Sequence, residues 1–211
     1  MTDAWTHNER GLALKAAGEY RRARAEYERG MRMAGPGDSD EAATLLHNLA
    51  GIRFVLEDPA GARRCGRRGL AMRRRVWGPD DLAVLLDEGN LAPILVRLHE
   101  YEAAGEMLHR LLERFTERGE DAEVAVTLTN LGALAAHRYD WPTARRHLER
   151  AAELKERCFG PYGVELIPTL VNLGIAVENE GGEAYVHFGR ARDIANRGLP
   201  AGHPLRTRLE R

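Results

Sequence analysis

Four asparagines recur at a regular interval: Asn48, Asn90, Asn130 and Asn172, in steps of 42, 40 and 42 along the chain. Each carboxamide offers N–H donors and a carbonyl acceptor. A row of such groups can pair with the main chain of an extended peptide without reading its side chains. It can equally bond from one helix to the next and hold their spacing. A second set of candidates is cationic. Between Ala60 and Trp77 stand Arg63, Arg64, Arg67, Arg68, Arg73, Arg74 and Arg75, with no acidic residue among them. At helical spacing Arg63, Arg67 and Arg74 share one face, and Arg64, Arg68 and Arg75 the adjoining one. An outer basic patch of this kind can dock nucleic-acid phosphates or an acidic protein. It can also be a solvated face neutralised by acids on neighbouring helices, and that is the expectation here. No aromatic residue interleaves with the arginines before Trp77, so base stacking has no support. Arginine also dominates the whole chain, Lys15 and Lys155 being its only lysines.

Other chemistry is hard to find. The sequence has no phosphate-binding glycine loop, no nucleophile elbow and no metal-ligand spacing. The eight histidines are scattered, with no pair at helical i, i+4 spacing. Cys65 and Cys158 are far apart and make no disulfide framework, so a reducing cytoplasm is expected. The expectation is therefore a non-enzyme with no cofactor and no metal. Catalytic groups or a small-molecule site converging from several helices remain the alternative. The formal net charge of −1 gives no whole-molecule attraction to nucleic acid or an anionic membrane. No apolar run approaches the ~20 residues needed to span a bilayer. The start, Met1-Thr2-Asp3-Ala4-Trp5, lacks the pattern of a signal peptide.

The asparagines sit in longer repeats. Each lies in a segment ending Asn-Leu-Ala or Asn-Leu-Gly. In three of them an alanine follows the small residue at one constant distance: Ala62 after Ala50, Ala104 after Ala92, Ala144 after Gly132. Asp58-Pro59 and Asp140-Trp141-Pro142 precede that alanine as helix starts, an N-cap with proline near the first helical position. Gly78-Pro79 and Gly160-Pro161 follow as stops. A divergent first copy carries Trp5, Gly11, Ala23 and Tyr27 and ends at Gly35-Pro36-Gly37. The fifth is worn: the interval from Gly174 to Ala184 is shorter than the other three, with Gly181-Gly182 between its helices. The pattern predicts helices near 4–17, 20–34, 41–56, 59–76, 82–98, 101–117, 122–138, 141–158, 164–179 and 183–198, and no strand. Pro93, inside the fifth, should kink it and free the Gly89 carbonyl.

These residues resemble the tetratricopeptide repeat, in the subclass with a repeat of about 42 residues found in kinesin light chains and bacterial regulatory proteins. The resemblance implies an all-α, right-handed superhelical solenoid forming one domain over 1–211. Its hairpins would span about 3–38, 41–80, 82–120, 122–162 and 164–204, with a C-terminal stub at 205–211. Ala50, Ala62, Ala92, Ala104, Gly132, Ala144 and Gly174 should sit where helices approach closely, beside Leu49, Leu91, Leu131 and Leu173. The first helix of each hairpin would line a concave groove. That places Asn48, Asn90, Asn130 and Asn172 in it, with His47, Phe54, Arg97, His137 and Asn179 alongside. The basic clamp that some relatives use on a terminal carboxylate has no counterpart: Asn8, Leu12, His47, Gly51, Gly89 and Pro93 stand at its positions. The implied function is peptide or partner-helix binding, in a cytoplasmic bacterial regulator, adaptor or scaffold that could also self-associate.

Overall fold

A computed structural model describes residues 3–35 and 37–209. Pro36 and the last two residues of the expected stub, Glu210 and Arg211, lie outside the described residues, as do Met1 and Thr2. The chain forms two compact units, Met1–Glu100 and Tyr101–Arg211. The boundary falls inside the third expected repeat.

The first unit holds α1 (Ala4–Ala16), α2 (Tyr20–Ala34), α3 (Asp40–Val55), α4 (Pro59–Trp77) and α5 (Leu82–Arg97). Sequential helices pack as antiparallel hairpins, and α3 also touches α1 and α5. The second unit holds α6 (Tyr101–Arg118), α7 (Asp121–His137), α8 (Trp141–Phe159), α9 (Leu166–Asn179), α10 (Tyr185–Gly198) and α11 (Pro204–Leu209). There too each helix packs on the next, and α7 also meets α9. Among the described residues there is no strand. The helices match the predicted ranges to within two residues at every end.

Local chemistry sets these ends. Asp58 Oδ1 accepts from the Gly61 N–H at 2.8 Å, and Asp140 Oδ1 from the Thr143 N–H at 3.2 Å, each with a proline in the first turn. Gly78 and Gly160 end α4 and α8 at φ 83° and 76°, where a side chain would meet its own carbonyl. Inside each hairpin the first helix closes differently. Glu57, His99 and Tyr139 adopt positive φ near 60°. The next residue's N–H then reaches back to Arg53, Leu95 or Ala135 at 2.8–3.0 Å. The worn repeat makes the same closure with Gly181, the unstrained residue for it.

The small residues are buried as expected, from Ala50 to Gly174, with the four leucines beside them. A Cβ on Gly132 would stand 2.5 Å from Leu148 Cγ and 3.2 Å from the Ala144 carbonyl, so nothing larger than hydrogen fits. Gly11 meets the Tyr27 ring in the same way and Gly174 the Phe188 ring. The fifth repeat thus keeps its close contact although its spacing has shrunk.

Candidate functional site

In the first unit, the first helices α1, α3 and α5 converge on an open cavity of about 110 Å³. Lys15 comes from α1; His47, Asn48, Gly51 and Phe54 from α3; Asn90, Pro93 and Ile94 from α5. Residues three and four apart share a helix face, which is why His47 and Gly51, or Asn90 and Pro93, stand together. α5 runs on as one helix through Pro93, whose ring becomes part of the cavity wall.

The asparagine row divides. Asn48 is 8% exposed, and its Nδ2 donates to Asn8 Oδ1 at 2.8 Å. Asn8 is itself buried, so this pair ties α3 to α1. Asn90 is exposed and spends one N–H on the Leu86 carbonyl of its own helix at 2.9 Å. In the second unit Asn130 and Asn172 are half-buried, and exposed Asn179 donates to the Ile175 carbonyl at 2.8 Å. Of the remaining candidates, Phe54 is half-buried at the cavity. Exposed Arg97 pairs with Glu57, and His137 stacks on Tyr101 with ring centres 6.2 Å apart.

Behind the cavity lies a charged network. His47 Nδ1 and Asp87 Oδ1 are 2.5 Å apart. Arg73 Nε donates to Asp87 Oδ2 at 2.7 Å; its two terminal nitrogens donate to Asp40 Oδ1 at 2.6 Å and Thr44 Oγ1 at 3.0 Å. Arg73 and Asp87 are both buried, with their charges paired and their hydrogen-bonding groups engaged. The network therefore anchors the His47 ring from three helices.

The arginine stripe is largely neutralised by its own neighbours. Arg63 and Arg67 face Glu100, Arg74 pairs with Glu88, and Arg75 grips Asp38 at 2.6 and 2.9 Å. The Arg75 guanidinium holds the Asp38 carboxyl below its ordinary value. Arg64 and Arg68 are exposed and make no ion pair among the described residues, though Arg64 lies near Asp58 and Arg68 near Asp38.

The second unit holds a different polar centre. Lys155 is 4% exposed, and its Nζ donates to the Glu165 carbonyl and to Thr169 Oγ1, both at 2.9 Å. Thr169 and Thr129 hydroxyls meet at 2.9 Å. Burial pushes the Lys155 ammonium down to about 8, and the nearby Glu165 only partly opposes it.

Sequence reasoning missed Asn8 as the first member of the asparagine row, Lys15 as a cavity residue, and both buried centres. Asn8 had a signal, since it stands one repeat step before Asn48. Lys15 had a weaker one, its rarity. Water reaches Lys15, yet the groove walls crowd its ammonium and push its pKa below the ordinary lysine value.

Models of the tetratricopeptide repeat match residues 42–83 and 123–197, together more than half of the chain. No curated protein matches the sequence. Among solved structures, the chain resembles the Rap conjugation gene regulator of plasmid pLS20 in complex with the Phr* peptide. The TM-score is 0.81 at 13% identity, over 98% of this chain and 56% of that one. It also resembles Bacillus thuringiensis PlcR in complex with the peptide PapR7 and DNA (TM-score 0.71, 12% identity, 92% and 70% covered). BtubC from P. vanneervenii follows (TM-score 0.64, 23% identity, 91% and 80% covered). The chain spans a little over half the length of the Rap proteins. At these identities the likeness is one of fold.

Proposed function

The chain belongs to the tetratricopeptide-repeat family, and from that premise we propose that it is a regulatory or adaptor protein that binds a peptide along its first helices rather than a catalyst. One observation carries this reading: α1, α3 and α5 of the first unit converge on a cavity that mixes amides, an ammonium and apolar walls. A concave apolar surface with a few placed polar groups suits a flexible ligand. Rap and PlcR, alike in fold, were solved with peptides bound. Among the described residues no helix is long and apolar enough to cross a membrane.

Within this reading the asparagines have two jobs. Asn48 fastens α1 to α3 through Asn8. In the first unit Asn90 keeps amide groups that a peptide main chain can meet, with Phe54, His47 and Arg97 as flanking contacts; in the second unit, taken by itself, Asn130 and Asn172 keep such groups, with His137 and Asn179 as theirs. The test is mass spectrometry of what co-purifies from the native host, followed by binding of the recovered peptide. Replacing Asn90 and Asn130 with alanine should weaken that binding about tenfold or more while leaving the melting temperature nearly unchanged. Unchanged affinity with a steep loss of stability would make the whole row structural.

A further inference from the structure

Five side chains of the first unit bond in series. His47 Nδ1 lies 2.5 Å from Asp87 Oδ1, and Asp87 Oδ2 accepts from Arg73 Nε at 2.7 Å. Arg73 Nη1 donates to Asp40 Oδ1 at 2.6 Å, and the same oxygen accepts from Trp77 Nε1 at 2.9 Å. The series begins at the groove cavity, which His47 lines. It ends at the last residue of α4, where Trp77 is 54% exposed. Asp40, Thr44 and His47 fall on one stripe of α3. Arg73 spans that stripe with one planar, permanently charged fork, since its Nη2 donates to Thr44 Oγ1. Arg73 and Asp87 are buried, so water offers neither of them a substitute partner.

The repeat packs without this series. Two repeats further along, at one constant offset, stand Ala122 for Asp40, Val126 for Thr44, Thr129 for His47, Phe159 for Trp77 and Thr169 for Asp87. There α8 still packs on α7 and α9, as α4 packs on α3 and α5. A rigid fork cannot approach one acid without easing from the other. A ligand acceptor at His47 Nε2 favours the charged ring, which takes a larger share of Asp87. Arg73 then leans on Asp40, and Asp40 Oδ1 holds the Trp77 N–H less firmly. We propose that these residues form a relay, by which the state of His47 in the groove is reported at Trp77 on the exposed end of α4. Its input rests on the reading of the first-helix groove as the working face; its connection is testable with no ligand at all.

The full chain, labelled for NMR, is titrated from pH 8 to pH 5, a range that charges histidine side chains. Around His47, α5 presents Asp87, α4 presents Arg73 and α1 presents Lys15 across the cavity, while Glu28 of α2 is taken by Arg53. The chain has three tryptophans, and Trp77→Phe assigns the indole N–H signal of interest. That signal should move with the same midpoint as the ring signals of His47. His47→Gln should remove the movement, which separates it from any change at Lys15. Asn90→Ala alters the same cavity outside the series and should leave the movement intact. Asp40→Asn, at a side chain 45% exposed, removes the charge on which Arg73 leans and should shrink it. A Trp77 signal that stays still while His47 titrates, or that moves fully in Asp40→Asn, would overturn the relay. A host peptide that binds the groove while Trp77 stays still removes the relay and leaves the peptide reading standing. A Trp77 that follows His47 when no peptide is recovered keeps the relay and removes the peptide reading alone.

Discussion

The two units solve the same packing problem with opposite electrostatics. Arg73, Asp87 and His47 of the first unit have counterparts two repeats further along, at one constant offset: Lys155, Thr169 and Thr129 of the second. The contacts correspond as well. Arg73 donates to Asp87 as Lys155 donates to Thr169, and His47 meets Asp87 as Thr129 meets Thr169. In the first unit a buried guanidinium has a buried carboxylate. In the second a buried ammonium has only a hydroxyl and a backbone carbonyl. The repeat fixes where a polar group must sit between two first helices and a second one. It leaves open whether that group is paired by charge, and the consequences for stability differ in sign.

The largest effect should come from making the first unit like the second. Asp87→Thr leaves Arg73 with Asp40 and Thr44 but without its buried partner, and leaves the His47 ring unanchored. Removing one member of a buried pair typically costs about 3–5 kcal/mol. Denaturant unfolding of the full chain should show a loss of that size. A loss under about 1 kcal/mol would mean that water already solvates the network.

Lys155→Met tests the other side. With a folded-state pKa of about 8 against an unfolded value of 10.5, the unfolded chain takes up this proton first as pH falls. Stability on this account declines from pH 10.5 to 8 and is constant below, a difference on the order of 3 kcal/mol. The wild-type chain should therefore gain stability from Lys155 as pH rises through that window. Lys155→Met should abolish that gain and be more stable at pH 7 by about 1–3 kcal/mol. Thermal unfolding of both proteins at pH 7, 8.5 and 10 checks this; parallel pH curves would show that the amine is not buried in solution.

The asparagines extend the comparison, since Asn48 and Asn130 are related by the same two-repeat offset. Asn48→Ala strands the buried Asn8 carbonyl and should cost about 1–3 kcal/mol. Asn130 is half-buried and has no partner among the described residues, so Asn130→Ala should stay within about 0.5 kcal/mol. Equal losses in urea titrations of the two variants would erase the distinction.

What the sequence made legible follows from what repeats. Helix ends were readable because capping chemistry is local: Asp58-Pro59 and Gly160-Pro161 signal through neighbours in the chain. The buried small residues were readable because each recurs at the same step. The polar centres were not, because their positions recur while their residue types change. Asp87 and Thr169 look unrelated until the two-repeat offset aligns them. The arginine run was expected to be neutralised by acids on neighbouring helices, and it largely is, but which acids was not legible. Its partners Asp38, Glu88 and Glu100 lie on other elements, and only packing brings them near. Lys15 was passed over because it stands two turns beyond Asn8 along α1, outside the positions where a clamp was sought.

The smallest change in stability should accompany the most informative substitution. Thr169→Asp places a carboxylate where Asp87 stands in the first unit and so supplies Lys155 with an opposite charge. Burying that carboxylate costs about what the new attraction returns, so net stability at pH 7 should move by roughly 1 kcal/mol or less. The ammonium itself responds more strongly. A neighbouring carboxylate favours the charged form, so its pKa should climb from about 8 back towards 10.5. The chain has only Lys15 and Lys155, so two lysine signals in an isotope-labelled sample report both values without further assignment. Lys15 serves as the internal control and should not move. If Lys155 keeps its low value beside the carboxylate that T169D introduces, then desolvation alone governs this position, and the first unit owes its charged pair to Arg73's permanent charge rather than to the acid at the matching site.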